Sequence, residues 1–165
     1  MMSKSGAAAL LIVGLLGSAA LAQEAPAPPN PANADYHFRY LNRLDPAEGW
    51  KRTVSGLRYR RLSGSGRGPH PSPTDTVTIH YAGRFIDGTE FDSSIARGQP
   101  ATFPLPRLIR GWQEGVPLMA VGDRFEFAIP YTLAYGWNGR GPIPGGATLV
   151  FTIELLAIVP AAAAE

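Results

Sequence analysis

The chain has 165 residues, 45% of them hydrophobic and 17% charged, with a formal net charge of +2. That balance suits one globular domain with appendages and gives no general drive toward nucleic acid or anionic lipid. It contains no cysteine, so disulfides are excluded and stability must come from a packed core, which about 140 residues can build.

In chain order, Lys4 precedes an apolar run over residues 6–21 that ends in Ala20-Leu21-Ala22 before Gln23. A basic start, a short apolar core and small residues two apart read as a signal peptide cleaved after Ala22. The alternative is an uncleaved anchor, although the run is short against the about 20 residues of a bilayer span. Cleavage removes Lys4 alone and leaves 14 basic against 13 acidic residues, a net charge of +1. Residues 23–34 are rich in Pro and Ala without apolar periodicity and read as a semi-stiff tether. Residues 35–54 form a short extension. In it Tyr36, Phe38, Tyr40, Leu41 and Leu44 alternate with charges up to Asp45-Pro46, which reads as a short docking helix, too short for a separate dimerisation domain.

The main domain is assigned to residues 55–160, where the pattern turns to strands. Val77, Ile79 and Tyr81 alternate with Thr76, Thr78 and His80, a period of two. Asp87-Gly88 supplies hairpin turn chemistry before Glu90-Phe91-Asp92. Phe125, Phe127 and Ile129 alternate with polar or small residues and are assigned to the core. Leu149, Phe151, Ile153 and Leu155 lie in the most apolar strand, which is therefore placed centrally. Arg58, Arg60, Arg61 and Arg67 read as a solvated strand face. One segment breaks the rhythm: Leu108, Ile109, Trp112 and Val116 share a helical face, bounded by Pro106 and by Gly115-Val116-Pro117. The expected fold is α+β, a twisted antiparallel sheet of about five strands wrapped on one short helix.

Five segments carry a family resemblance: Thr78–Gly83 (TIHYAG), Asp87–Ser94 (DGTEFDSS), Leu108–Gly115 (LIRGWQEG), Leu133–Gly136 (LAYG) and Ile143–Phe151 (IPGGATLVF). In order and spacing they resemble the FKBP-type peptidyl-prolyl cis-trans isomerases, a family that binds macrolide immunosuppressants. The resemblance runs from about Gly56 to Ile158. It implies an FKBP-like fold and a pocket whose catalytic positions are Asp92, Tyr135 and Ile109. Tyr81, Phe91, Phe103, Leu108, Trp112, Ile143 and Phe151 would bind substrate, with Trp112 as the floor under a proline ring, and Arg97 would support Asp92. Donors to substrate carbonyls would be the N–H of Ile109 and the hydroxyl of Tyr135.

Two positions depart from the family pattern. Ala101 stands where members often carry an aromatic residue, and the loop 136–146 holds Trp137, Asn138 and Arg140 in place of a histidine-containing version. Both bear on substrate preference and macrolide affinity more than on the reaction.

Aromatic residues with few ionisable neighbours suit binding and desolvation. His37, His70 and His80 are scattered without a carboxylate cluster, so no metal or cofactor is expected. Ser93 and Ser94 lack a nucleophile-elbow motif, which argues against a hydrolase. The expected partners are proline-containing unfolded or exported polypeptides, with macrolide inhibitors as the resemblance implies, no nucleic acid, and a monomeric state. The leader implies export, and the resemblance to secreted bacterial members points to a soluble periplasmic form, with no cysteine for lipidation. A non-catalytic peptide-binding module or holdase using the same cleft is the competing reading. Only 11 residues (136–146) separate Tyr135 from Ala147, too few for an inserted chaperone domain there.

Overall fold

A computed structural model describes residues 31–159, with side chains from residue 35. The leader and the tether up to residue 30 lie outside the described residues. Seven antiparallel strands form one sheet: β1 (Lys51–Arg52), β2 (Arg58–Ser63), β3 (Thr76–Phe85), β4 (Glu90–Ser93), β5 (Ala101–Pro104), β6 (Arg124–Ile129) and β7 (Leu149–Val159). Their order is β1-β2-β6-β7-β3-β4, with β5 also on β3. The most apolar strand, β7, is indeed interior, between β6 and β3.

Two strands exceed the about five read from periodicity. β1 has 2 residues and β5 has 4, flanked by Pro100 and ended by Pro104. Neither is long enough to show alternation, and both are recruited by neighbours: Val77 pairs with Phe103, and Lys51 with Tyr59. The sheet thus begins at Lys51, ahead of residue 55.

Helix α2 (Arg110–Gly115) packs on one face of the sheet, burying Gly111, Trp112 and Gly115. It starts after Pro106 and gives way to a 3-10 turn (Val116–Leu118) at Pro117, which has no N–H to continue the ladder. Its approach to the sheet is close. A Cβ on Gly111 would come 2.4 Å from Ile129, and one on Gly115 would come 2.7 Å from Phe127. The core between helix and sheet holds Trp112, Phe127, Phe151, Ile79 and Leu149, all wholly buried.

A second helix covers the opposite face. Helix α1 (Pro31–Asn42) begins inside the segment read as tether, so residues 31–34 are helical. His37, Tyr40, Leu41 and Leu44 recur at helical spacing. Leu41, with Tyr40 and Leu44 beside it, packs with Trp50 against Ala128 of β6 and Val150 of β7. His37 adds a polar anchor, its Nδ1 accepting from the Thr148 N–H at 3.1 Å. Asp45 then caps the turn Pro46–Glu48, accepting from Ala47 N at 2.8 Å.

The arginine-rich strand β2 is less solvated than expected. Arg58 is buried, Arg60 donates to Glu126 at 2.8 Å and stacks over Trp50, and Arg61 lies over Phe125. Their hydrocarbon stems and flat guanidinium groups cover aromatic surface.

Candidate active site

The site is built where four strands and α2 bring aromatic side chains together. On β3 the inward positions are Val77, Ile79, Tyr81, Gly83 and Phe85. Period two would send the adjacent Phe91 and Asp92 of β4 to opposite faces. The pairing slips between Gly83 and Arg84: Gly83 faces Asp92 while Arg84 faces Glu90, leaving Phe91 as an extra, bulged residue. The bulge re-aims the strand so that both side chains reach the site.

The rings converge on Trp112. Its centroid lies 5.4 Å from Tyr81, 5.1 Å from Phe151 and 6.3 Å from Phe103, all near edge-to-face. Phe91 stands edge-on to Phe151 at 5.6 Å. Such contacts add about 0.5–1.5 kcal/mol each to the apolar burial. Trp112 is 1% exposed and Phe151 0%, so both lie beneath a rim of half-buried Phe91, Phe103 and Tyr135. Leu108 and Ile143 are also buried and back the site from below. The Trp112 Nε1 has no hydrogen-bond partner among the described residues, and aromatic rings surround it.

The polar groups are committed to one another. The Tyr81 hydroxyl donates to Asp92 Oδ2 at 2.5 Å, Arg97 Nη2 donates to the Tyr81 oxygen at 2.9 Å, and Arg97 Nη1 pairs with Asp92 Oδ1. Burial, reinforced by the bond to Asp92, pushes the Tyr81 phenol well above its ordinary range, so it stays a donor. Burial likewise raises the Tyr135 phenol, against a smaller opposing pull from Arg140. Neither phenol ionises at neutral pH.

Ile109 precedes α2 in an extended conformation (φ −60°, ψ 150°). Its carbonyl accepts from Trp112 N and Gln113 N. Its own N–H donates to no acceptor among the described residues, which leaves it available to a ligand carbonyl. All eleven residues singled out from the sequence therefore fall in one neighbourhood: nine in the aromatic cluster, with Asp92 and Arg97 joined to it through Tyr81.

Sequence reasoning missed several supports. Gln113, placed on the solvent side, turns back and donates through Nε2 to the Leu108 carbonyl at 2.6 Å, holding the segment that presents Ile109. Ser94 is fully buried. Its Oγ accepts from Tyr81 N at 2.7 Å and also meets His80 Nδ1 at 3.1 Å, so this serine braces a strand. Gly83 is the third: a Cβ there would lie 2.7 Å from Phe151 and 2.8 Å from Phe91. The sequence marked Gly83 only as the end of a motif. The described residues contain no group of three or more metal-ligating side chains and no helix long and apolar enough to cross a membrane.

With this geometry in place, residues 68–156 match the family described as FKBP-type peptidyl-prolyl cis-trans isomerase.

The chain belongs to that family.

Among its curated relatives, FkpA of Aeromonas hydrophila is 53% identical over 124 residues, covering 75% of this chain and 46% of the relative. The FKBP-type 22 kDa isomerase of Escherichia coli (strain K12) is 49% identical over 122 residues, covering 73% and 59%. The chain thus spans about half the length of the curated relatives it matches. In structure it is similar to FkpA from Escherichia coli, with a TM-score of 0.75, 38% identity, and coverage of 79% of this chain and 61% of that one. It is also similar to an isomerase from Pseudomonas syringae, with a TM-score of 0.72, 32% identity, and coverage of 80% and 97%. These neighbours share the FKBP fold expected from the sequence, with its antiparallel sheet and short helix.

Proposed function

We propose that the chain is a peptidyl-prolyl cis-trans isomerase acting on proline-containing polypeptides, with Trp112 as the floor of its site. The observation that carries the reading is the ring cluster around Trp112, beside which the charged Asp92 and Arg97 are paired with each other and with Tyr81. Its carboxylate and phenol are thus committed to hydrogen bonds with each other and with the guanidinium. Such a site suits a reaction in which no bond breaks.

Rotation about an Xaa-Pro bond faces a barrier of ~18–20 kcal/mol because it breaks amide resonance. Resonance makes the planar amide more polar than the twisted one, so water favours the planar form. A pocket rimmed by Phe91, Phe103 and Tyr135 strips that water and favours the twisted form. To admit a proline ring, the three rim side chains part and uncover the indole beneath. The Ile109 N–H and the Tyr135 hydroxyl donate to substrate carbonyls, fixing the chain on either side of the rotating bond. Asp92 transfers no proton. Held by Tyr81 and Arg97, it provides a fixed negative field beside the amide. A barrier lowered by about 5–6 kcal/mol gives roughly 10⁴-fold acceleration, within reach of a few preorganised hydrogen bonds plus desolvation.

The leader read from residues 1–22 supports export, with a bacterial periplasm as the compartment in which the sheet domain would act as a soluble monomer on exported chains. Macrolides that occupy the proline site would compete with substrate.

The test is the cis-to-trans conversion of short Xaa-Pro peptides by the purified chain. Acceleration that is lost in Trp112→Ala and suppressed by a macrolide supports the reading. A folded wild-type protein that slows aggregation of unfolded chains yet leaves the isomerisation rate unchanged would replace it with the holdase reading.

A further inference from the structure

Beside the aromatic site runs a second hollow that the reaction does not use. It is a cleft of about 330 Å³ between the start of α1, at Tyr36 and His37, the hairpin tip at Phe85–Asp87, and the two prolines Pro142 and Pro144. The bond from Thr148 N–H to His37 Nδ1 pins the helix over it, one residue beyond Ala147 in its wall.

Cleft and site share their partitions. Ile143 is buried, whereas Pro142 and Pro144 on either side of it are exposed. That short segment turns one side chain to the aromatic cluster and two to the cleft. Phe85 lines the cleft and its ring lies 4.9 Å from Phe91, a rim residue of the site. Steps of 4.9, 5.6 and 5.1 Å through Phe91 and Phe151 put the Phe85 ring no more than about 16 Å from the Trp112 indole. An extended polypeptide covers that distance in about five residues.

We propose that this cleft is an accessory subsite for the polypeptide whose proline sits over Trp112, taking an apolar side chain about three to five residues from that proline. The proposal rests on the isomerase reading. The walls suit a side chain better than an added strand, because Pro142 and Pro144 have no N–H to donate. Aromatic, isoleucine and proline surfaces meet an apolar group. His37 and Asp87 are the titratable groups in the wall, with the Tyr36 phenol. Such a subsite favours unfolded chains, which expose apolar residues near proline, over short peptides that fill only the proline site. Partial burial of one apolar side chain is worth about five- to tenfold in affinity.

The experiment compares peptides with the same Xaa-Pro centre on the full chain: a tetrapeptide, and matched pairs of decapeptides carrying Leu or Ser at three, four or five residues from proline on either side. The Leu decapeptide is expected to show kcat/KM about five- to tenfold above the Ser version for at least one position. Tyr36→Ser in α1 and Ile86→Thr in the hairpin should each erase that difference while leaving the tetrapeptide rate unchanged. Equal rates for Leu and Ser at every position overturn the subsite, as do variants that slow tetrapeptide and decapeptide alike. Self-association of the wild type that vanishes in Tyr36→Ser also overturns it, by assigning the cleft to a second copy. Failure of the wild type to turn over the tetrapeptide refutes the isomerase reading instead. In that case amide chemical shifts at Tyr36 and Ile86 decide the subsite: changes with the Leu peptide and not the Ser peptide support it, and no changes overturn it.

Discussion

Replacing Gly83 with alanine perturbs the wall of the site without deleting any of its groups. Gly83 occupies an inward position of β3, paired with Phe151 on one side and Asp92 on the other. A Cβ there would sit 2.7 Å from Phe151 Cε1 and 2.8 Å from Phe91 Cε2 and Cζ. Carbon atoms prefer about 3.5–4.0 Å, so one or both rings must retreat by about 0.7–1.3 Å. Phe151 has no exposed surface and abuts Trp112, which leaves it nowhere to go. Phe91 is half-buried and moves outward instead, toward Phe85. Overpacking of this kind costs about 1–3 kcal/mol, a Tm lowered by roughly 4–12 °C for a domain of this size. Displacing a rim residue by about 1 Å should also cut isomerase activity by about tenfold or more. Thermal unfolding and a peptide isomerisation assay read the two effects separately. A Gly83→Ala protein with a Tm within about 1 °C of wild type and full activity would refute the claim that bare backbone at residue 83 lets these rings close.

The remaining predictions concern the polar frame, the helix segment and pH. Tyr81→Phe removes a bond to a buried carboxylate and should cost about 1.5–3 kcal/mol in chemical denaturation. Asp92→Ala should lower the isomerisation rate while the fold persists, and a Tyr81→Phe/Asp92→Ala double-mutant cycle should show coupling of at least about 0.5 kcal/mol. Gln113→Ala should destabilise by only about 1 kcal/mol yet reduce kcat/KM several-fold by loosening the Leu108–Ile109 segment. Burial lowers the His37 pKa below its ordinary 6.5, so between the folded value and 6.5 the unfolded chain binds more protons. Stability is therefore undiminished above 6.5 and falls as pH drops below it, and exchange of the Thr148 amide, normalised for pH, should accelerate there. The Tyr81 and Tyr135 phenols, both raised, should leave the isomerisation rate flat between about pH 7 and 9.

Local pattern was enough to place the long strands and the turn at Asp87-Gly88, and it put a helix at Trp112 but started it too early: Leu108 and Ile109, read on its face, are extended and precede α2 (Arg110–Gly115). Each shows its periodicity over several consecutive residues, and alternation by itself says which side of β3, β6 or β7 faces inward. The candidate site was legible for a different reason: its motifs resemble a family, and their order along the chain carried eleven positions across. Elements whose shape depends on a distant partner stayed out of reach. β5 has four residues and becomes a strand because Val77 and Ile79 offer it an edge. Helix α1 extends back to Pro31, and a polar anchor joins His37 to Thr148, 111 residues away. Phe91 and Asp92 face the same site only because the β3–β4 register slips by one residue, and nothing in EFDS announces a slip. Gln113 looked solvated on a helical wheel, yet it bonds to a carbonyl five residues earlier, where the chain has not yet become helix. Periodicity reports which face of an element is apolar. Register, bulges and close approaches are decided by what the opposing element presents, so they exist only once the sheet has assembled.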